Sequence, residues 1–139
     1  MKSFVLDCSA TLPWIFGSEA NEHSGKLLDA LAAGGTAWVP ALWHLELTNV
    51  LLGAQKKGRI DQAGIEAFLG ALATFGIEVD PETMTVAWTK TLALAREHGL
   101  TAYDAAYLEL ALRRGIPLAT RDEALAKAVR SAGGRVAEC

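Results

Sequence analysis

Short apolar runs alternate along the chain with longer stretches of helical periodicity, and this alternation narrows the fold more than any other feature. Residues 2–6, 36–39 and 117–120 read as strands, 77–79 as a short extended piece and 135–137 as a last edge strand. Helices are expected over 21–33, 41–57, 61–75, 80–98, 101–114 and 123–131, each followed within two residues by a glycine stop. Asp61 is placed to cap one of them, and Asp80-Pro81 reads as a helix start with proline at the first helical position. Pro13, early in the segment 9–16, is tolerable only where a short helix begins nearby. The strands are apolar throughout, which suits a sheet buried on both faces: a three-layer α/β/α fold with a short parallel sheet. No repeat, low-complexity tract or linker divides the chain, so a single domain over 1–139 is expected.

Four carboxylates sit awkwardly in such a fold. Asp7 ends the run Phe4-Val5-Leu6. Glu46 has Leu42, Trp43, Asn49 and Val50 as its neighbours one helical turn away. Asp104 shares a face with Tyr107, Leu108 and Ala111, and Asp122 follows the strand at 117–120. Each has an ordinary alternative. Asp7 would cap a segment beginning at Ser9, and Glu46 could border the apolar stripe. Asp104 would complete a capping box opened by Thr101 and suit the helix dipole. In Thr120-Arg121-Asp122-Glu123, Thr120 reads as the cap and Glu123 as its partner, which leaves Asp122 free. In open parallel sheets, ligands bind beyond the carboxyl ends of the strands, where Asp7, Thr120 and Asp122 fall. Two unit charges 4 Å apart repel by roughly 4 kcal/mol at an effective dielectric of 20. Converging carboxylates therefore raise their pKa values or recruit a cation, and a hard ion such as Mg²⁺ or Mn²⁺ takes oxygen ligands of this kind.

Composition excludes several classes. Apolar residues make up 51% and charged residues 21% of 139, which is a globular balance rather than a disordered one. No apolar run approaches the length of a membrane span, and the apolar stretch after Met1 is too short for a signal peptide. Cys8 and Cys139 lack metal-ligand spacing, so reduced thiols in the cytoplasm are expected. The formal net charge of −3 argues against gripping nucleic acid by bulk attraction, although the four acids account for more than all of it.

Four pieces of the sequence together resemble the PIN-domain ribonucleases, and more closely the VapC-like toxins of type II toxin–antitoxin pairs. They are Val5-Leu6-Asp7-Cys8-Ser9, Val39-Pro40 with Glu46-Leu47-Thr48-Asn49-Val50-Leu51, Tyr103-Asp104-Ala105-Ala106-Tyr107-Leu108-Glu109-Leu110-Ala111, and Pro117-Leu118-Ala119-Thr120-Arg121-Asp122. Each is short, but their order and spacing are specific across nearly the whole chain. The resemblance implies an acidic site of Asp7, Glu46, Asp104 and Asp122, with the Thr120 hydroxyl helping to hold it and Ser9 and Asn49 nearby. It also implies a homodimer and an antitoxin partner whose tail blocks the site. Pro13 departs from the family's plain helix and puts that helix's length in question.

The activity expected is that of a metal-dependent endoribonuclease, hydrolysis of an internal RNA phosphodiester by a metal-activated water, with Asp7 and Asp104 as direct ligands and Glu46 and Asp122 binding directly or through water. Candidate RNA contacts are Lys56, Lys57, Arg59, Arg113, Arg114 and above all Arg121, beside Asp122. Trp14 and Trp43 could stack bases or receive a partner helix, but core packing is the plainer role, and His44 lies off the Glu46 face. Three rivals stand beside this reading. A phosphotransfer fold would want a second acid where Ser9 stands, or a lysine where Thr120-Arg121 stand. A non-catalytic PIN-like binding protein would have no need of four acids. A nuclease of the same fold acting on DNA is separable only by substrate competition.

Overall fold

The computed structural model describes residues 2–137; Met1 and Cys139 lie outside the described residues. Five strands form one parallel sheet: β1 (Ser3–Leu6), β2 (Thr36–Val39), β3 (Gly76–Val79), β4 (Leu118–Ala119) and β5 (Val136–Ala137), in the order β3-β2-β1-β4-β5. Helices α1 (Leu12–Ile15), α2 (Glu22–Ala32), α3 (Trp43–Lys56), α4 (Gln62–Leu72), α5 (Leu92–His98), α6 (Ala102–Arg114) and α7 (Glu123–Ser131) connect them. The chain steps outward from β1 to β2 to β3, then crosses back to β4 on the other side of β1. Parallel crossovers are right-handed, so the reversal puts α1–α4 on one face and α5–α7 on the other. The result is the expected three-layer α/β/α sandwich.

Reversal of direction makes the β1/β4 boundary the switch point of the sheet, where a crevice opens beyond the strand ends. Register puts named residues there. Val5 pairs with Leu118 and Leu6 with Ala119, so Asp7 and Thr120 emerge side by side, tied by the Asp7 amide donating to the Ala119 carbonyl at 3.0 Å.

Phe4, Val5 and Leu6 on β1 are fully buried, as are Leu27, Leu108, Leu118 and Leu125 from the surrounding elements. Each such side chain contributes on the order of 1.5–3 kcal/mol. Trp43 is buried with them, and Trp14 packs on the core while its indole N–H donates to the Ser24 carbonyl at 3.0 Å, so both tryptophans serve packing. Local signals work as the sequence suggests at most boundaries. Asn21 and Ser24 form a reciprocal capping box, the Asp61 carboxylate accepts from the Gly64 amide, and Pro13 sits in the first turn of the four-residue α1. Gly115 ends α6 in the left-handed region at φ 64°, where a side chain would strain the turn into β4.

The expected helix over 80–98 is the clearest departure. Asp80-Pro81 opens a series of turns, followed by a π-helical turn at Ala87–Thr91, and regular α-helix begins only at Leu92. Asp80 does not cap a helix. Its side chain is buried and engaged by Arg113, which donates from Nη2 at 2.6 Å and from Nη1 at 3.1 Å. The same carboxylate also accepts from the Glu82 amide, so the turn after β3 is tied to the end of α6.

Candidate functional site

Asp7 stands at the centre of the crevice. It is 7% exposed, and its Oδ2 accepts from the Thr120 hydroxyl at 2.6 Å and the Ser9 hydroxyl at 2.8 Å. The hydroxyls are themselves anchored: Ser9 Oγ accepts from the Arg121 amide at 2.9 Å, and Thr120 Oγ1 accepts from the Asp122 amide at 3.1 Å. Two short segments, one after β1 and one after β4, are thereby stitched into a polar floor. Burial raises the Asp7 pKa, the two hydroxyls and the Cys8 amide oppose the rise, and the Asp122 charge adds to it.

Glu46, in the first turn of α3, is half-buried, and its Oε1 accepts a hydrogen bond from the fully buried Tyr107 hydroxyl of α6. Burial raises its pKa, Tyr107 opposes this, and the charges of Asp7 and Asp104 push it further up. Asp104, in the first turn of α6, is raised by burial and then by Asp7 and Asp122. Its amide donates to Thr101 Oγ1 at 3.1 Å, so the cap and the inward-facing acid coexist. Burial, reinforced by Glu46 and Asp7, pushes the Cys8 thiol up to about 12. Held protonated, Cys8 is no nucleophile at neutral pH.

Asp122 corrects the sequence expectation. It is Asp122, not Thr120, that caps α7, with Oδ1 accepting from the Leu125 amide at 3.1 Å. The Thr120 hydroxyl is turned instead to Asp7, a charged acceptor. Asn49 is exposed and gives Glu46 no hydrogen bond among the described residues; Tyr107 fills that place. Arg113 and Arg114 are also reassigned. Arg113 is bound to Asp80, Glu109 and Glu82, while Arg114 lies 3.5 Å over the Trp38 ring and reaches Asp80 at 3.5 Å. Arg121 does stand at the rim, where its Nη1 donates to Glu19 at 2.8 Å.

All four acids therefore share one electrostatic neighbourhood. Among the described residues, however, no three His, Cys, Asp or Glu side chains converge tightly enough to hold an ion as they stand. The reason is visible in their partners: each acid but Asp104 has turned its carboxylate toward a proton donor, and like charges favour that spread. Tyr107 and Glu19 were not singled out as partners of the site by sequence reasoning; their contacts join residues 61 and 102 positions apart.

The family model for the PIN domain matches residues 4–130. Exonuclease VapC9 of Pyrobaculum aerophilum is 37% identical over 110 residues, covering 72% of this chain and 79% of that protein. Among solved structures, PAE2754 from Pyrobaculum aerophilum superposes with a TM-score of 0.69 at 24% identity, covering 96% of this chain and 87% of its own. A toxin-antitoxin complex from Klebsiella pneumoniae gives 0.55 at 20% identity over 86% of both chains. FitAcB from Neisseria gonorrhoeae gives 0.55 at 20% identity over 96% of this chain and 95% of that one. These last three likenesses concern the fold.

Proposed function

The chain belongs to the PIN-domain family and is a VapC-like nuclease by descent, and from that premise we propose that it is a metal-dependent ribonuclease acting in the cytoplasm as the toxin of a toxin–antitoxin pair. The observation that carries this reading is the placement of Asp7, Glu46 and Asp104 around one hydroxyl-lined floor, where burial first and neighbouring carboxylates second raise their pKa values. Such a cluster is short of positive charge, and all its donors are oxygen. That donor set fits a hard divalent cation, Mg²⁺ or Mn²⁺.

Asp7 and Asp104 would hold the ion directly, with Glu46 and Asp122 completing the set or acting through water. When bound, such an ion acidifies a neighbouring water and offsets phosphate charge. The chain's own residues do the rest. Ser9 and Thr120 fix the rotamer of Asp7, and Tyr107 fixes that of Glu46. Glu46, with its raised pKa, is suited to accept a proton from the attacking water, and Arg121 at the rim to contact the RNA backbone.

A protein antitoxin covering the acids, and a homodimer, belong to the same reading. Support comes from the fold likeness to a toxin-antitoxin complex, and from Leu45 and Leu52, two turns apart on α3 and 72% and 51% exposed. The relative named an exonuclease favours a second mode, attack from a strand end rather than within it.

The test is cleavage of linear and circular RNAs and matched DNAs, with Mg²⁺ or Mn²⁺, with chelator, and with Asp7→Asn prepared identically. Metal-dependent cutting of RNA that disappears in the variant is expected, and cut circles identify internal cleavage. Equal cutting by wild type and Asp7→Asn would sink the proposal; preference for DNA would move the substrate.

A further inference from the structure

Glu19 lies at the rim of the site and does something the acids do not: it binds two arginines at once. Its Oε1 accepts from Arg121 Nη1 at 2.8 Å and its Oε2 from Arg59 Nη2 at 3.0 Å. The three residues come from separate segments, a short turn at Gly17–Glu19, the loop after α3, and the loop after β4. Two guanidinium groups gripping the two oxygens of one anion is the arrangement that recognises a carboxylate or a phosphate alike.

We infer that Arg59 and Arg121 form a subsite for a backbone phosphate of single-stranded nucleic acid, and that Glu19 occupies it until substrate arrives. The inference rests on the nuclease reading, which makes a phosphodiester the ligand.

Arg59 has a side-chain anchor besides Glu19, and Arg121 is anchored through its backbone. Arg59 lies 3.8 Å over the Phe16 ring, and its amide donates to the Ala54 carbonyl at 2.9 Å. The Arg121 amide is held by Ser9, whose hydroxyl is bonded to Asp7, so the subsite is built into the same polar floor as the central acid. Glu19 is the yielding member. Its turn is secured by local amide contacts, Glu19 to the Phe16 carbonyl and Ala20 to the Gly17 carbonyl. Its side chain and those of Arg59 and Arg121 are all partly exposed, at 25%, 46% and 33%. Exposed pairs of this kind are weak enough for an incoming phosphate to displace. The two arginines also pull the Glu19 pKa down, so it is ionised, and competing, throughout the neutral range.

The experiment measures binding of fluorescent single-stranded oligouridylate and oligothymidylate by anisotropy in chelator, so that cleavage plays no part. Glu19→Gln is expected to bind both about three- to tenfold more tightly than wild type at low salt. Glu22→Gln, which removes an equal charge from the exposed pair with Lys26, is expected to change little. The Glu19→Gln gain should vanish when Arg59→Gln and Arg121→Gln are added, and persist in Asp7→Asn. Three results would overturn the inference: a gain no larger than that of Glu22→Gln, a gain that survives loss of both arginines, or no oligonucleotide binding by any variant. A protein that cleaves RNA but ignores Glu19 loses this inference alone. One that shows the Glu19 effect without metal-dependent cleavage loses the nuclease reading alone.

Discussion

The hydroxyl of Tyr107 and the carboxylate of Glu46 meet from α6 and α3, and the bond decides where the glutamate points. Tyr107 is fully buried, and burial together with Glu46 raises its own pKa, so it stays a donor at every working pH. Tyr107→Phe keeps the packing and deletes only that donor. Loss of one neutral-donor bond to a half-buried acid costs about 1 kcal/mol of stability. The larger effect should fall on chemistry, because freeing a ligand or base from its orienting partner lowers metal affinity or activity by about ten- to a hundredfold. Calorimetric titration with Mn²⁺ should show weaker binding, and kcat for RNA cleavage should fall while KM holds. Unchanged metal affinity and kcat would reduce Tyr107 to a packing residue. At this scale the sequence was only half legible. The inward face shared by Asp104 and Tyr107 follows from helical periodicity, as does the oddity of Glu46. That the two helices bring Tyr107, rather than Asn49, to Glu46 depends on their crossing, which no local pattern encodes. The same holds for Glu19, whose two arginines lie 40 and 102 residues away.

Between β3 and α5 the chain breaks its own local rule. Asp-Pro followed by a long periodic stretch is a good helix start, and taken alone it predicts helix from residue 81. The competing interaction is Arg113 at the end of α6, which donates to Asp80 and, through Nε, to Glu109 at 2.9 Å, while Glu82 closes the group at 3.0 Å. Asp80 and Glu109 side chains are 1% and 4% exposed, so their charges depend on that guanidinium. Arg113→Met leaves Glu109 without its cation and Asp80 with only the 3.5 Å contact of Arg114, and should cost about 3 kcal/mol, read as a lower urea midpoint at unchanged slope. Adding Asp80→Asn and Glu109→Gln should recover most of that loss, since neutral polar groups tolerate the site better than orphaned charges. If the single variant melts like wild type, the group adds nothing to stability. Elements with a strong internal signal, such as the Asn21-capped α2 and the Gly115-terminated α6, match the sequence expectation closely. Those governed by a distant charge do not, and Thr120 and Asp122 exchanging the capping role is the same lesson on a smaller scale.

Across the whole molecule, the sheet reverses direction where its acids collect, and this sets function against stability. Asp7, Glu46 and Asp104 hold their protons to higher pH in the folded chain than in the unfolded one, first because they are buried and then because neighbouring carboxylates, Asp122 among them, repel their charge. A group of that kind supports the fold fully below its unfolded pKa, near 4 for carboxylates, and loses the contribution as pH rises through its folded value. Asp80 works the other way. Burial alone would raise it, but the bonds and charge of Arg113 hold it low, so its contribution is present above the ordinary carboxylate range and lost in acid. Metal-free protein should therefore be most stable in mildly acidic solution and weaken toward neutrality. Mg²⁺ or Mn²⁺ should restore the neutral side and do little below about pH 4, where protons occupy the same oxygens. Asp7→Asn separates the contributions. It keeps an acceptor for Ser9 and Thr120 while removing the buried charge, and should raise metal-free stability at neutral pH by roughly 1 kcal/mol, about 4 °C of Tm in a domain of this size. The same change should abolish stabilisation by the ion. Thermal melts across this pH range, with ion and with chelator, decide it. A metal-free protein that grows steadily more stable up to neutrality, or an Asp7→Asn variant less stable than wild type there, would mean that the crevice already compensates its acids without a cation.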